Sequence, residues 1–399
     1  MHNRENYLNL LINFKDTSLI KVITGMRRSG KSTLLLLFKE YLKKNKIKEK
    51  NIILMNFESI KFKNIKNYED LYNFIESNIK NNDEKFYILL DEVQMVDCWE
   101  KAINSFLVDF NCDVYITGSN AYLLSSELST LLSGRYVEIK MLPLSFKEYL
   151  EFNQNNKTLE ENFEEYTKYG GLPVISELSK KEELVTSYLK DICNTVIMKD
   201  VIERNEIKDV ALLNNIMSFV AQNTGNIISP NKIADYLKTE GVLTNHTTID
   251  NYLLYLEKAF IIYKVPRYDV KGKILLKTLG KYYMVDMGVR NAIVGYRDTD
   301  YGHVLENIVY LELLRRGYQV YIGKNNDYEI DFIATKETEK KYYQVTYKLT
   351  EDVIDRETRS LNISDDHYEK IIISTDKNYL KDIRGIKLIN IIDFLLEEK

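Results

Sequence analysis

Short apolar runs alternate with amphipathic segments in the first half of the chain. Residues 32–44 and 70–80 carry apolar side chains on a helical period. The apolar runs have the length of buried strands, and they lie at residues 19–24, 51–57, 86–93, 112–120 and 137–141. Strands that alternate with helices in this way predict an α/β fold built on a parallel sheet.

The middle of the chain has a helical pattern that ends in a candidate hairpin. Residues 161–205 are predicted to be helical, with Gly-Gly-Leu-Pro at 170–173 as an interruption. A basic two-stranded segment is predicted at residues 264–281. Between them, three short helices are predicted at residues 212–223, 229–237 and 245–258, with Gly241 in a turn. Three helices with such a turn, followed by a hairpin, predict a winged helix of the helix-turn-helix type.

The last hundred residues predict a further arrangement of a helix and strands. The helix is expected at residues 301–317, and strands are expected at residues 318–322, 327–334 and 341–347. With 399 residues, the chain is long for one hydrophobic core, and its length predicts two to four domains.

Composition and charge exclude several classes of protein. The three cysteines and four histidines lie far apart, which argues against a disulfide framework and a zinc site. No apolar run is long enough to span a bilayer and the first residues do not form a signal peptide, so we expect a cytoplasmic protein without membrane contact. A net charge of −4 argues against nonspecific coating of nucleic acid, while it leaves room for local basic patches.

The loop after the first strand has the spacing of a phosphate-binding P-loop. Residues 25–33 read G-M-R-R-S-G-K-S-T, and the two glycines allow the backbone to curl its N–H groups around phosphate oxygens. Lys31 is expected to reach the β- and γ-phosphates of ATP, and the Ser32 hydroxyl is expected to ligate Mg²⁺. A chance glycine turn is the alternative, but the flanking strand and helix argue against it. The predicted nucleotide-binding residues are Gly25, Arg28, Ser29, Gly30, Lys31, Ser32 and Thr33.

The apolar run at residues 86–93 ends in two carboxylates, Asp91 and Glu92. About sixty residues after a P-loop, this pattern is typical of a Walker B strand. Asp91 is then expected to help hold Mg²⁺, and Glu92 is expected to orient and deprotonate the attacking water. The alternative is a solvated strand end.

Two further polar positions are candidates for the same site. Asn120, with Ser119 beside it, follows the next strand, where a side chain can sense the γ-phosphate or hold the water. Arg135 is a candidate arginine finger that acts on the nucleotide of a neighbouring subunit. A cation that only stabilises a helix C-terminus is the alternative for Arg135.

Five stretches together resemble the prokaryotic AAA+ ATPases that carry a C-terminal domain of unknown function. These stretches are residues 25–35, 90–94, 117–120, 133–135 and 170–173. The resemblance implies that residues 161–205 contain a helical lid, and that the chain departs from the family at Lys199, where an arginine is usual. It also implies the Walker A, Walker B, sensor and finger roles for Lys31, Ser32, Asp91, Glu92, Asn120 and Arg135.

The predicted winged helix raises the question of a DNA contact. The third helix is expected to expose mainly neutral or acidic side chains, which are His246, Thr247, Asp250 and Asn251. Phosphate contacts are therefore expected from the hairpin, at Arg267, Lys271 and Lys273. The alternatives are a protein-binding winged helix and a solvated, lysine-protected sheet edge.

The helix and strands of the last hundred residues are similar to the PD-(D/E)xK endonuclease fold. That chemistry uses two carboxylates on Mg²⁺ and a lysine two residues after the second one, on the same strand face. Glu306 and Asp331 suit the acidic positions, but the paired motif is Gln344 and Thr346, with Lys348 one step further.

Three interpretations of this region stay open. It is an Mg²⁺-dependent nuclease that uses Glu306, Asp331, Gln344 and Lys348, a degenerate fold that binds DNA or a partner, or a fold with incidental surface carboxylates. The loss of both motif residues favours the second interpretation, because a site short of negative charge binds Mg²⁺ poorly.

The chain is thus predicted to be a multidomain α/β protein. Its predicted parts are a P-loop AAA+ core at residues 1–155, a helical lid at 156–208, a winged helix with a basic β extension at 209–295, and a restriction-endonuclease-like domain at 296–399. We expect a homo-oligomeric, Mg²⁺-dependent ATPase that binds or remodels DNA, with branched or damaged DNA as the candidate substrate. The alternatives are a nucleotide-controlled signalling or scaffold protein and a Mg²⁺-dependent nuclease.

Overall fold

A computed structural model of the chain describes residues 4–80, 83–119, 132, 134–178, 181–272, 274–297, 300–325, 328–362, 367–377 and 382–397. The chain forms two compact units. The N-terminal unit consists of Met1–Met141 with Lys258–Phe260, and the C-terminal unit consists of Leu142–Glu257 with Ile261–Lys399. In the described parts of both units, no helix combines the length and the apolar composition that crossing a bilayer requires.

The N-terminal unit is built on a five-stranded parallel sheet with the strand order β2-β3-β4-β1-β5, which confirms the predicted α/β class. Its strands are β1 (Ile20–Thr24), β2 (Ile52–Asn56), β3 (Phe86–Asp91), β4 (Cys112–Gly118) and β5 (Tyr136–Lys140). Its helices are α1 (Glu5–Asn13), α2 (Lys31–Lys44), α3 (Tyr68–Asn78) and α4 (Trp99–Asp109), with 3₁₀ turns at Glu49–Asn51, Ile60–Phe62 and Val93–Met95.

Both faces of this sheet are covered, which explains why its strands are continuous apolar runs in the sequence. Successive residues of β3 point to opposite faces, so that Ile88 and Leu90 join one core and Tyr87 and Leu89 join the other. Helix α4 covers the first core and helix α2 covers the second. Parallel pairing also brings the carboxyl ends of β1, β2, β3 and β4 to one edge of the sheet, where the candidate site lies.

The C-terminal unit begins with helices. These are α5 (Phe146–Asn153), α6 (Leu159–Tyr169) and α7 (Glu182–Val196), with a 3₁₀ turn at Pro173–Ser176 and a π-helical segment at Ile197–Glu203. Ser145 and Thr158 start α5 and α6 with capping boxes. Gly170 ends α6 at φ 76°, and the Gly171 N–H donates to Asp286 Oδ2 at 2.6 Å.

The next part of this unit has the element order of the predicted three helices and hairpin. It consists of α8 (Val210–Gln222), β6 (Ile227–Ile228), α9 (Pro230–Thr239), α10 (His246–Lys258), β7 (Ile262–Asp269), β8 (Ile274–Met284) and α11 (Met287–Val294). On α10, His246, Thr247, Asp250 and Asn251 are exposed, as their spacing predicts. Leu253 and Leu256 of the same helix are buried.

The remaining elements complete a mixed sheet. They are α12 (Tyr301–Arg315), β9 (Gln319–Asn325), β10 (Tyr328–Lys336), β11 (Glu339–Val345), α13 (Glu351–Asn362), β12 (Glu369–Ser374), β13 (Asp382–Ile383), β14 (Ile386–Asn390) and α14 (Ile391–Leu396). In the described part of the chain, the sheet has nine strands in the order β13-β14-β12-β11-β10-β9-β7-β8-β6.

The hairpin of β7 and β8 belongs to this sheet. Residues 267–269 of β7 pair in parallel with residues 322–324 of β9. The sheet therefore combines strands that precede residue 295 with strands that follow it, although the sequence predicts a domain limit at this residue. The division into four domains stays a prediction.

Candidate functional sites

The P-loop lies between β1 and α2, and its backbone is tightly curled. Gly25, Arg28 and Gly30 have φ values of 145°, 67° and 102°. A Cβ atom on Gly25 would lie 2.2 Å from the carbonyl oxygen of Met141, so this position requires glycine for space as well as for conformation. A loop that alternates between right- and left-handed residues turns successive N–H groups into one concave surface, which suits an anion.

The side chains of the loop are arranged as a phosphate site requires. Lys31 is 4% exposed, and its ammonium donates to the carbonyl oxygens of Gly25 at 2.9 Å and Met26 at 3.0 Å. Ser29 Oγ is buried without a hydrogen-bond partner among the described residues. A buried hydroxyl without a partner is costly, and phosphate oxygens at this loop would satisfy it. The residues present therefore fit a bound nucleotide.

Asp91 ends β3 beside the P-loop helix and is 3% exposed. Its Oδ1 accepts from Thr117 Oγ at 2.6 Å, and its Oδ2 accepts from Asn56 Nδ2 at 2.8 Å. Burial raises the pKa of Asp91, while hydrogen bonds from Thr117 and Ser32 act against this rise. The contact of Ser32 with Asp91 joins the two residues that the sequence assigns to Mg²⁺.

Glu92 lies beside Asp91 and points to the P-loop lysine. Its φ is 55°, a left-handed conformation that is uncommon outside glycine, and its Oε1 lies 4.0 Å from Lys31 Nζ. The Glu92 N–H donates to Thr117 Oγ at 3.0 Å, and its carboxylate accepts from the Gln94 side-chain amide. Lys31 is sixty positions away from Asp91 and Glu92 in the sequence, and the fold brings all three residues into one buried site.

Sequence reasoning missed three residues that support this site. Thr117 lies near the end of β4 and contacts both acidic residues, although the sequence directed attention to Asn120. Asn56 ends β2 and contacts Asp91. The guanidinium of Arg4, which is buried, donates to the Ser29 carbonyl at 3.0 Å. Polar residues at strand ends were an available signal for Thr117 and Asn56, whereas nothing in the sequence signals Arg4.

The other predicted residues of the site differ in where they lie and in how far they are buried. Asn120 lies outside the described residues, and its sensor role stays a prediction. Ser119 is buried directly after β4. Arg135 is exposed, and its carbonyl oxygen accepts from the Ile20 N–H at 2.8 Å. Thr33 is half-buried in the first turn of α2.

A second group of charged residues lies in the C-terminal unit, around the ammonium of Lys281. Lys281 Nζ lies 2.8 Å from Glu306 Oε1, 2.7 Å from Glu329 Oε1 and 3.7 Å from Asp331 Oδ1. We call these four residues the acidic cluster. Burial, followed by the nearby charge of Glu306, raises the pKa of Asp331 to about 8. Burial alone would raise the pKa of Glu306, but the contacts with Lys281, His303 and Tyr283 together outweigh burial, and the pKa is lowered.

The two remaining residues of the predicted nuclease site do not join the acidic cluster as ligands. Gln344 is buried, and its Oε1 accepts from the Asp331 N–H at 2.6 Å. Its Nε2 donates to Glu357 at 2.5 Å and to Ser360 at 2.9 Å. Lys348 is exposed, and its ammonium lies 5.4 Å from the centre of the Tyr347 ring. Among the residues that the structure describes, no group of three His, Cys, Asp or Glu side chains is placed to hold a metal ion.

The candidate DNA contacts lie on the hairpin. Lys271 is exposed at its turn, whereas Arg267 is half-buried in β7. Lys273 lies outside the described residues. Ile274 and Leu275 of β8 are exposed, so the hairpin presents apolar as well as basic side chains.

Comparisons with known proteins assign the chain to a family. Residues 17–150 match a family model described as an AAA domain, and residues 160–300 match a domain of unknown function, DUF8612. The chain is 44% identical to an uncharacterized protein of Haemophilus influenzae, over 100% of this chain and 99% of that protein. It is 32% identical to the uncharacterized protein MJ1544 of Methanocaldococcus jannaschii, over 91% of this chain and 86% of that protein.

One solved structure supports the fold. The Walker-type ATPase PABY2304 of Pyrococcus abyssi is similar to this chain with a TM-score of 0.51 and 18% sequence identity, over 73% of this chain and 95% of that one. The family model, the P-loop and the Walker B strand identify residues 17–150 as an AAA domain of the P-loop ATPase type, and the chain belongs to the same family as the Haemophilus influenzae protein and MJ1544.

Proposed function

We propose that this ATPase hydrolyses ATP with Mg²⁺ at residues 25–33 and uses the hydrolysis to act on DNA through its C-terminal unit. The proposal for hydrolysis rests on one observation, the convergence of Lys31, Asp91 and Glu92 in a buried site. A cytoplasmic location and a homo-oligomeric active form are parts of the same proposal.

Each residue of the nucleotide site has a role in this proposal. Ser32 and Asp91 would hold Mg²⁺, which supplies positive charge to the phosphate oxygens during transfer. Lys31 would exchange its two carbonyl partners for phosphate oxygens, since an ammonium binds anionic oxygen more strongly than a neutral carbonyl. Glu92 Oε1 lies 4.0 Å from Lys31 Nζ, and in this position its carboxylate can orient a water molecule and accept its proton.

Two variants test this proposal on the purified protein. Glu92→Gln removes the base and keeps the shape, so ATP hydrolysis should fall by about 10²–10⁴-fold while ATP binding is retained. Lys31→Ala should lose both binding and hydrolysis. Nucleotide binding is measured by titration with a fluorescent ATP analogue, and hydrolysis by phosphate release. Normal turnover in Lys31→Ala would refute the assignment of the site.

The DNA part of the proposal is supported by the element order α8-β6-α9-α10-β7-β8, in which β6 pairs with β8 and β7 pairs with β8. This order of helices and strands is that of a winged helix, in which the last helix and the hairpin contact DNA. The exposed face of α10 has little positive charge, so Lys271, Arg267 and Lys273 are proposed to contact phosphates.

A salt titration of DNA binding tests these contacts. Lys271→Glu combined with Lys273→Glu should weaken binding to all DNA sequences and reduce the salt dependence, because each lost phosphate contact lowers the slope by about one. Lys61→Glu combined with Lys63→Glu is the charge-matched control, at two exposed positions of the N-terminal unit, and should have no effect. ATP hydrolysis is measured in parallel with single-stranded, duplex and four-way-junction DNA.

A protein-binding switch is the second candidate function. The observation in its favour is the exposure of Ile274 and Leu275 on β8 and of Leu243 in the turn before α10. Exposed apolar side chains of this size are typical of protein contacts rather than of phosphate contacts. ATP hydrolysis that responds to none of the three DNA forms would favour this candidate.

A further inference from the structure

The acidic cluster contains Glu306 and Asp331, which the sequence predicts as Mg²⁺ ligands, but a protein ammonium already lies between its carboxyl groups. Lys281 comes from β8, and it is not part of the strand motif in which such a lysine would be sought. Its Nζ lies within 2.8 Å of both Glu306 Oε1 and Glu329 Oε1, and 3.7 Å from Asp331 Oδ1. An ammonium so surrounded replaces a metal ion as the positive charge of the cluster.

Carboxylate oxygens of Glu306 and Asp331 also contact other groups. Glu306 Oε1 accepts a second hydrogen bond, from the Tyr283 hydroxyl, and Glu306 Oε2 lies 3.8 Å from His303 Nδ1. Asp331 Oδ2 accepts from the Val345 N–H at 2.9 Å. Mg²⁺ requires a nearly regular octahedron of oxygens at about 2.1 Å, and oxygens that are already committed to N–H and O–H donors do not provide it.

Space at the cluster is limited as well. The side chains of Lys281 and Glu306 are 4% and 8% exposed. A Cβ atom on Gly225 would lie 2.9 Å from His303 Nδ1 and 3.1 Å from Glu306 Oε2, so the backbone before β6 closes over this side. Gln344, the third predicted ligand, already uses its oxygen for the Asp331 N–H. With Lys281 in place, the residues present therefore do not fit a metal ion.

We propose that Lys281 is the resident cation of the acidic cluster, which holds an ion-paired lysine in place of a divalent metal and does not support metal-dependent cleavage. The side chains of Glu306, Glu329 and Asp331 then serve to fix β8 to α12 and β10. Removal of the ammonium should leave an uncompensated acidic site that a divalent cation can enter.

Titration with Mn²⁺ in the absence of nucleotide tests this proposal on the full chain. We expect the wild type to bind no Mn²⁺ at the acidic cluster, so that Asp331→Asn leaves its binding isotherm unchanged. Lys281→Met should gain one Mn²⁺ equivalent per chain, and the gain should disappear in Lys281→Met with Asp331→Asn. Lys264→Met, an exposed lysine on the neighbouring strand, is the matched control and should gain none.

Thermal unfolding gives an independent readout. Mn²⁺ should raise the melting temperature of Lys281→Met and leave that of the wild type unchanged, because a ligand that binds only the folded state stabilises it. A wild-type Mn²⁺ site that Asp331→Asn removes would overturn the proposal, as would Mg²⁺-dependent DNA nicking abolished by the same substitution. A folded Lys281→Met that binds no Mn²⁺ would also overturn it. If Lys281→Met does not fold, the comparison of the wild type with Asp331→Asn still decides.

Discussion

The hydroxyl of Thr117 donates to Asp91 at 2.6 Å and accepts the Glu92 N–H at 3.0 Å. One side chain therefore holds the carboxylate of Asp91 and the backbone of Glu92. Asp91 is buried, and Glu92 has an unusual backbone conformation, so neither residue would keep its orientation without such partners. These two hydrogen bonds predict that Thr117 positions Asp91 and Glu92 for ATP hydrolysis.

Replacement of Thr117 by valine keeps the side-chain shape and removes the hydrogen bonds. We expect a loss of about 1–3 kcal/mol in the free energy of unfolding, because the buried Asp91 oxygen and the Glu92 N–H lose their partner. ATP hydrolysis should fall while Thr117→Ser, which keeps the hydroxyl, remains close to the wild type. Urea unfolding and phosphate release measure the two effects, and equal activity of the valine and serine variants would contradict the role.

Asp331 predicts a pH dependence of stability. Its pKa is about 8 in the folded protein and about 3.8 when it is unfolded, so between these values the folded state keeps a proton that the unfolded state has lost. The folded state then binds more protons, and the contribution of Asp331 to stability falls as the pH rises. Asparagine at this position does not titrate.

The free energy of unfolding of the wild type should therefore fall more than that of Asp331→Asn between about pH 5 and about pH 8. The measurement is urea unfolding of both proteins across this range. Parallel pH profiles of the two proteins would contradict the raised pKa of Asp331.

Helix α6 is joined to helix α11 through a glycine contact. Asp286 caps α11 by accepting from the Val289 N–H, and it also accepts the Gly171 N–H. A Cβ atom on Gly170 would lie 2.0 Å from Asp286 Oδ1, and the φ of 76° disfavours any other residue. The Gly-Gly-Leu-Pro segment that interrupts the helical pattern is thus a docking point for the start of α11.

Gly170→Ala should lower the free energy of unfolding by about 1–3 kcal/mol, through overlap with Asp286 and backbone strain. Gly302→Ala is the control, because a Cβ atom there meets no described atom within 4 Å and the residue lies in helix α12. It should be neutral or slightly stabilising. Chemical denaturation measures the free energy of unfolding of both variants. Equal values for Gly170→Ala and Gly302→Ala would show that the close approach of Gly170 to Asp286 does not contribute to stability.

The arginine-finger role of Arg135 requires that two subunits of the protein contact each other. This residue is exposed next to β5, as a side chain that reaches a neighbouring subunit must be. If it acts as an arginine finger, Arg135→Ala should reduce ATP hydrolysis by about 10³-fold or more. A mixture of Arg135→Ala with Glu92→Gln should then be more active than either protein alone, since one supplies an intact site and the other a finger.

In the control mixture, Arg135→Ala is combined with a double variant that carries both Glu92→Gln and Arg135→Ala. This double variant has no arginine finger to supply. Recovery in the first mixture and none in the second would establish action between subunits. Full activity of Arg135→Ala would leave the residue with the alternative role at a helix end.

The sequence by itself determined the features that depend on neighbours in the chain. The P-loop is recognisable because its glycines, Lys31 and Ser32 act within one turn, and the strands are recognisable because a buried parallel sheet requires continuous apolar runs. The bounds of the predicted strands and helices therefore agree with the structure to within a few residues, whereas helices α1, α4, α11 and α13 were not predicted. Asp91 and Glu92 were identified because they directly follow such a run.

Only the tertiary structure decided which distant side chains meet. Lys281 lies 25 residues before Glu306 and 50 before Asp331, and it reaches both because β8, α12 and β10 pack together. Thr117 reaches Asp91 because β3 and β4 pair in parallel, and β7 joins β9 across the predicted domain limit. Local periodicity reports burial and secondary structure, but strand order and register are set by packing over the whole sheet, so the partners of Lys281 and Thr117 could not be predicted from the sequence.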